Sequence, residues 1–453
     1  MRAFGQALQL CNFSSLSIDR NSRQGGDAAT SSVPGVRLYM MTIVRGWIIT
    51  NGCFVIIQSL MIVRMRRDDF AASPAGRLAP TERGQWAFVP FDLPPSELDM
   101  AALAAPLEKA SQLLGELNGI GRLLPDPFLL IKPLQVREAL TSSSMEGTYT
   151  TIEDLLLLEA GAPEQPRQAD TREVLNYRRA LSEAITSLKA VPLSLRTLRD
   201  AHRTLLQGIA RHRGSNTQPG EFKVHQNFIG ARVIENARFV PPPPAEAVAS
   251  LQSLEKYIQR DDRLGIPDLV DAALIHYQFE TIHPFADGNG RVGRMLITLH
   301  LYMRNVIREP ILYLSPVLEH HKDEYIDLMY NVSRTGKWTD WISFFLNVIC
   351  QSSSSAIRTA DALLALQRDY KERIKSVSRS SNLHTIVDFL FKSQVISIPA
   401  IAKLLDVQYR AAQLNVESLQ KAGILSEIPR TSNPKYFIAH EIRNIITEGV
   451  RPD

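Results

Sequence analysis

Apolar positions three and four residues apart organise the middle of the chain. Leu269, Ala272, Ala273, Ile275, Phe279 and Ile282 share one face and predict a buried helix. Asp268, directly after Pro267, suits the positive N-terminal end of that helix. Pro284 would clash with the turn before it, so the helix is expected to break at His283. Val292, Leu296, Leu299 and Met303 recur at spacings of four, three and four and predict a second helix from about Arg291. Upstream, helices are expected from about Ser96 to Gly161. One runs from Pro133 to Glu146 and stops at Gly147. Thr150 with Glu153 forms a capping box for the next. Between these regions, Pro219-Gly220-Glu221-Phe222-Lys223 opens a stretch of turn formers and β-type residues that runs to Pro241–Pro244 and predicts a hairpin. Polar Gln351–Ser355 reads as a break, followed by a helix over Ala356–Lys375 and a serine-rich linker at 376–381. In the tail, 398–405 and 407–423 predict two short helices, and 424–438 a small hairpin with 429–434 at its tip. The fold class is mainly α, and no internal repeat interrupts it.

This pattern divides the chain into 1–64, an irregular proline-rich lead and helical region at 65–161, a helical core at 162–350, linkers and a helix at 351–381, and a tail at 382–453. The core carries an aromatic cluster, Trp338, Trp341, Phe344 and Phe345, expected to pack. Residues 1–64 stand apart. They hold six Arg, no Lys, two Asp and no Glu, a balance of +4 that equals the net charge of the whole chain, +4. Residues 65–453 are therefore neutral and carry no bulk electrostatic signature for nucleic acid. With 45% hydrophobic and 22% charged residues, the composition is that of a soluble globular protein. Cys11, Cys53 and Cys350 are scattered, which implies neither a disulfide framework nor a zinc site and fits a reducing, cytoplasmic setting. The uncharged run at 46–63 admits three readings: a membrane anchor, an uncleaved targeting segment, or sequence upstream of the true start.

The chemistry concentrates in His283-Pro284-Phe285-Ala286-Asp287-Gly288-Asn289-Gly290-Arg291-Val292-Gly293-Arg294. Gly288 and Gly290 allow positive φ and close backbone approach to a ligand. Amides at the start of the following helix form an anion site. Arg291 and Arg294 share a helix face with Thr298 and present guanidinium forks suited to phosphate oxygens. An imidazole that titrates near neutrality suits a general base, and a carboxylate suits a hard divalent cation.

At every specified position this loop resembles the signature of the Fic family, whose typical reaction moves AMP from ATP onto a protein hydroxyl. The resemblance implies a helical Fic core. It makes His283 the base that deprotonates an attacking Ser, Thr or Tyr hydroxyl. Asp287 would hold Mg²⁺ against the α- and β-phosphates. Asn289 and the amides of Gly288 and Gly290 would bind the α-phosphate, Arg291 the β-phosphate and Arg294 the γ-phosphate. Phe285 would anchor the loop in the core. ATP and a protein target are then the partners, with self-modification and a homodimer as further expectations. Met65-Arg66-Arg67-Asp68-Asp69-Phe70 looks like the usual opening of this subfamily, which favours Met65 as the true start.

Three further segments extend the resemblance. Ser142, Glu146 and Gly147 match the family's inhibitory pattern, and Ser142 and Glu146 lie one helical turn apart. That glutamate is implied to pair with Arg294 and to deny it to the γ-phosphate. Phe228, Ile229 and Gly230 lie in a segment resembling the Fic flap, a β-hairpin that pairs with the target's backbone. The tail looks like a winged helix, a fold that often binds DNA. Between Val407 and Ala422 its charged residues are only Arg410, Glu417 and Lys421, thin for phosphate neutralisation, so interaction or dimerisation is favoured. The expected function is an adenylyltransferase restrained by Glu146. The alternatives are a DNA-binding regulator with a silent Fic fold, and a Fic enzyme with another transfer or de-AMPylation activity.

Overall fold

The expected helices form, and two of them are buried almost all round. The computed structural model describes residues 43–44, 47–50, 53–56, 64–123, 127–163, 169–209, 218–262, 264–377, 380–429, 431 and 433–448. Residues 1–61 make a unit of their own. Its described part is an antiparallel sheet of β1 (Ile43–Val44), β2 (Trp47–Thr50) and β3 (Cys53–Ile56). The remainder of 1–63, including much of the apolar run at 46–63, lies outside the described residues. No helix among the described residues is long and apolar enough to cross a membrane.

The second unit, 62–453, begins with α1 (Arg67–Phe70) and the antiparallel hairpin β4 (Gly76–Pro80) and β5 (Trp86–Pro90). An irregular lead was expected here. The prolines stand at strand ends, where a two-stranded hairpin tolerates a missing N–H. Helices α2 (Met100–Leu123), α3 (Phe128–Ser144), α4 (Ile152–Glu159), α5 (Ala169–Ser187) and α6 (Leu195–Leu205) follow. The flap region then leads to α7 (Pro244–Ile258), α8 (Asp268–Ile282) and α9 (Asn289–Met303). The core closes with α10 (Ser315–His320), α11 (Lys322–Thr335) and α12 (Trp338–Val377). The chain is mainly α.

α8 and α9 form the centre. From Leu269 to Phe279 every α8 side chain is buried, and so is every α9 side chain from Asn289 to Leu301. Trp341 donates to the Ala273 carbonyl at 3.0 Å, and Trp338 stands edge-on to Tyr277, so the aromatic cluster packs as expected. His276 lies between them. Its Nδ1 donates to the Gly293 carbonyl at 3.1 Å and its Nε2 accepts from the Tyr325 hydroxyl at 2.8 Å. Two neighbouring helices are thereby tied by one neutral imidazole, which burial pushes down to about 3.

Four local expectations are corrected. Gln351–Ser355 is no break, because α12 runs unbroken through it for 40 residues. Ser352, Ser353 and Ser355 are buried, so a polar run that reads as linker is small side chains on a helix-facing surface. α3 ends at Ser144, leaving Glu146 in the turn beyond it, and Thr151 instead of Thr150 caps α4 by accepting from the Asp154 N–H. The flap hairpin contracts to one bridge, Ile229 with Phe239, around the short 3₁₀ turn Ile234–Asn236.

The tail comprises α13 (Ser381–Leu390), β6 (Val395–Ser397), α14 (Ile398–Leu405), α15 (Tyr409–Lys421), β7 (Ser426–Glu427), β8 (Tyr436–Ile438) and α16 (His440–Glu448). Its sheet has the order β6-β8-β7 and is antiparallel throughout. α16 packs on α3 and α12 and is fastened by the two-pronged pair of Arg373 with Glu441 at 2.8 and 2.9 Å.

Candidate active site

The break after α8 creates the site. His283 caps the helix in the left-handed conformation (φ 48°, ψ 61°), an uncommon backbone for a non-glycine residue, and Pro284 forbids another turn. The loop then closes on itself. Asn289 accepts from the Phe285 N–H at 2.7 Å and donates to the Phe285 carbonyl at 2.8 Å. Phe285 is fully buried and lies flat on His202, ring centroids 3.9 Å apart, as the anchoring expectation required. Gly288 is left-handed (φ 79°) and opens α9 one residue on, slightly before the expected start.

His283 faces a cavity of about 290 Å³ that it shares with Glu146, Glu280, Arg294, Lys322 and Tyr325. Ile229 and Phe239 of the flap and Met329 of α11 supply its apolar wall. Nδ1 of His283 lies 3.2 Å from the Glu280 carbonyl, an acceptor, so the proton sits on Nδ1 and Nε2 keeps its lone pair. Burial, with the charge of Lys223 behind it, pushes the imidazole down to about 4. A base that stays unprotonated at neutral pH results.

Glu146 and Arg294 meet as expected. Arg294 donates through Nη2 to Glu146 at 2.9 Å, and through Nε and Nη2 to the Ser142 hydroxyl and carbonyl at 2.8 and 2.7 Å. Burial would raise the Glu146 carboxyl, but the Arg294 guanidinium outweighs it and holds the group below the usual carboxylate range. The carboxylate also lies over the start of α9. A Cβ added at Gly290 would come within 2.1 Å of Glu146 Oε1, so glycine is required to admit it. Lys322 donates to the Met145 carbonyl at 2.6 Å, and Ser144 to Glu319 at 2.6 Å, which fixes the turn that presents Glu146.

Two nucleotide-binding expectations meet a different arrangement. Asn289 is buried and taken up by the Phe285 backbone, so it braces the loop instead of facing the cavity. Arg291 is fully buried and pairs with Glu173 of α5, with Asp287 at 3.6 Å on its other side. Gly290 and Arg294, four residues apart, share the face of α9 that lines the cavity, and Asn289 and Arg291 lie off that face. Among the described residues the Nε and Nη2 of Arg291 lack hydrogen-bond partners.

Asp287 is the one expected metal ligand. Its Oδ1 accepts from the Gly288 N–H at 2.7 Å, and 28% of the side chain is exposed. Among the described residues no three His, Cys, Asp or Glu side chains cluster to hold an ion. The donor set fits Mg²⁺ held by one carboxylate, with phosphates and water completing the shell.

In the flap, Ile229 lines the cavity, Phe228 packs beside Ala237 and Val240, and Gly230 (φ 83°) admits the close approach of Arg238. Arg238 in turn reaches across the cavity wall to Asp327 of α11. Sequence reasoning assigned no role to His202, Lys223 or Glu280. His202 accepts the Gly220 N–H on Nδ1 at 2.9 Å and therefore donates from Nε2 to the Asp287 carbonyl at 3.0 Å. Burial keeps it neutral, pushed down to about 4. Glu280 stands one turn before His283, beside Arg294, Glu146 and Gly293. Burial pushes its carboxyl up to about 8, and its Oε1 has no hydrogen-bond partner among the described residues.

Comparison with known proteins finds two adjoining matches within the second unit. Residues 104–186 match the Fic/DOC family N-terminal region and 192–301 match the Fic/DOC family. The protein adenylyltransferase fic-1 of Caenorhabditis elegans is 24% identical over 210 residues, 45% of this chain and 39% of that protein. The protein adenylyltransferase Fic of Drosophila melanogaster is 27% identical over 159 residues, 34% of this chain and 30% of that protein. The chain thus spans well under half the length of these relatives. A solved Fic family protein from Desulfovibrio desulfuricans G20 aligns over 76% of this chain and 98% of its own, at 17% identity and a TM-score of 0.48. Residues 104–301 thus carry the Fic/DOC N-terminal region and the Fic/DOC region in order.

Proposed function

We propose that the protein is a protein adenylyltransferase that moves AMP from ATP to a Ser, Thr or Tyr hydroxyl of a protein, releases pyrophosphate, and is restrained by its own Glu146. The observation that carries this reading is the Glu146 carboxylate over Gly290, in contact with Arg294 and in the same cavity as a neutral His283. A carboxylate resting on a helix N-terminus and an arginine marks a position suited to a phosphate.

In the reaction, Nε2 of His283 takes the proton of the attacking hydroxyl. The hydroxyl oxygen bonds to the α-phosphorus as the bond to the bridging oxygen of the β-phosphate breaks, and pyrophosphate leaves with the electron pair. Asp287 would hold Mg²⁺, which supplies charge neutralisation for the phosphates. The Gly290 amide would meet the developing charge once Glu146 withdraws, while the Gly288 amide is taken by Asp287. Arg294 takes the γ-phosphate once Glu146 withdraws. Arg291, with two donors unused, contributes positive potential from beneath the loop, and Asn289 preserves the loop's shape. Gly230 of the flap offers backbone to an extended target segment, with Phe228 and the bridged Ile229 anchoring it.

The reading extends to the tail, which we take as a winged helix for protein contact, a homodimer included. Helix, strand, two helices and a two-stranded return support that view, and Arg410 of α15 lies 4.0 Å from Glu417, leaving little free positive charge for DNA. To test the function, the full chain is incubated with labelled ATP, Mg²⁺ and candidate proteins, and modified residues are identified by mass. Gain of one AMP on a hydroxyl supports the reading; hydrolysis alone, or removal of AMP from a pre-modified protein alone, refutes it.

A further inference from the structure

Residues Lys223 and Asn227 hold four successive carbonyls of the catalytic loop. The Lys223 ammonium donates to the Ile282 carbonyl at 3.3 Å, and the Lys223 N–H donates to the Pro284 carbonyl at 2.8 Å. The Asn227 amide donates to the His283 carbonyl at 2.9 Å and to the Phe285 carbonyl at 3.0 Å. Lys223 Nζ also donates to Asn227 Oδ1 at 2.7 Å, which couples the two. Lys223 is 5% exposed and makes no ion pair with a carboxylate among the described residues. A buried ammonium without a counter-ion is costly, and here only carbonyls and the negative C-terminal end of α8 offset it.

We propose that Lys223 is a positioning residue for His283: its buried ammonium, held by the Ile282 carbonyl and Asn227, pins the turn after α8 and sets one positive charge behind the imidazole. The inference rests on the reading of His283 as the base. Other charged or titratable groups also face His283. Glu146 approaches from the turn after α3, Glu280 from α8, Asp287 from the loop and Arg294 from α9. Lys322, Tyr325 and Tyr330 stand across the cavity on α11. Glu146 and Asp287 favour the imidazolium, and Lys223 opposes them. Burial pushes Lys223 itself down to about 7, so its charge is complete in the acid range where His283 titrates.

The test uses the full chain with ¹³C-labelled histidine, following the His283 resonance by NMR against pH and assigning it with His283→Ala. Lys223→Met should move the His283 midpoint upward by about one unit, as loss of a close like charge requires, and Lys223→Arg should leave it in place. Lys223→Gln keeps a donor for Ile282 but no charge and should give the same upward shift. On a Glu146→Gly background, Lys223→Met should lower kcat at least about tenfold with KM for ATP unchanged, since the lysine does not line the cavity. An unmoved midpoint in folded Met or Gln variants overturns the proposal. A shifted midpoint with no AMP transfer by any variant upholds the role of Lys223 and counts against the transferase reading.

Discussion

Replacing Glu146 by glycine should free Arg294 and tighten ATP binding by one to two orders of magnitude. Arg294 donates one hydrogen bond to the Glu146 carboxylate at 2.9 Å, which on the proposed reading a γ-phosphate has to break. A hydrogen bond to a charged partner contributes about 1.5–3 kcal/mol. The Coulomb attraction of such a pair reaches about 4 kcal/mol near a protein surface. With 32% of the Glu146 side chain exposed, we take about 2–3 kcal/mol as the barrier to displacement. At 1.4 kcal/mol per decade, its removal is worth about 30- to 140-fold in affinity. Calorimetry with a non-hydrolysable ATP analogue and Mg²⁺ should report that decrease in Kd for Glu146→Gly, and Glu146→Gln should fall between. Arg294 keeps its two contacts to Ser142, so the variant remains folded. Because the Glu146 carboxyl is held below the usual carboxylate range, the latch is complete at neutral pH and is lost only as pH falls through that lowered value. Activity of the unmodified chain should accordingly stay low from pH 7 to 5. Equal ATP affinity in the two proteins would refute the idea that Glu146 competes with phosphate.

His283→Ala should lower AMP transfer by about 10²–10⁴-fold, the usual loss with a general base. In the Glu146→Gly background the acid limb of kcat/KM should fall near pH 4, where His283 gains its proton, and a limb near 6.5 would contradict its burial. Glu280 binds its proton more tightly folded than unfolded, so its contribution to stability declines as pH rises from about 4.5 toward 8. Glu280→Gln needs no proton and should raise Tm by a few degrees at pH 8 with little change at pH 4, which thermal melts can check. A full-length chain titrated with duplex DNA at rising salt should show no sequence-dependent retention; salt-sensitive, specific binding would assign the tail to DNA instead.

The legible parts of the site were those fixed by short-range pattern. The α8–α9 periodicity located the break, and one contiguous loop supplied His283, Asp287, Arg291 and Arg294. Ser142 and Glu146 were legible because both lie within one turn of α3's end, even though the helix stops before Glu146. The strap of His202, Lys223 and Asn227 was not. Each acts through a hydrogen bond to a carbonyl 56 to 85 residues away, and such pairing leaves no periodic trace. Burial direction was equally hidden. Asn289 and Arg291 have the residue types of phosphate ligands, yet the first turn of α9 aims them at Phe285 and Glu173. The serines of α12 were misread because small polar side chains packed between helices have the composition of a linker.

Transfer of label from ATP by the Glu146→Gly variant would decide the matter most directly. With Mg²⁺ present, α-labelled ATP should mark a protein hydroxyl and γ-labelled ATP should not, its label leaving in pyrophosphate instead, with His283→Ala silent in both. Label arriving from the γ-position, or none from the α-position while the nucleotide is demonstrably bound, would contradict adenylyl transfer at this site.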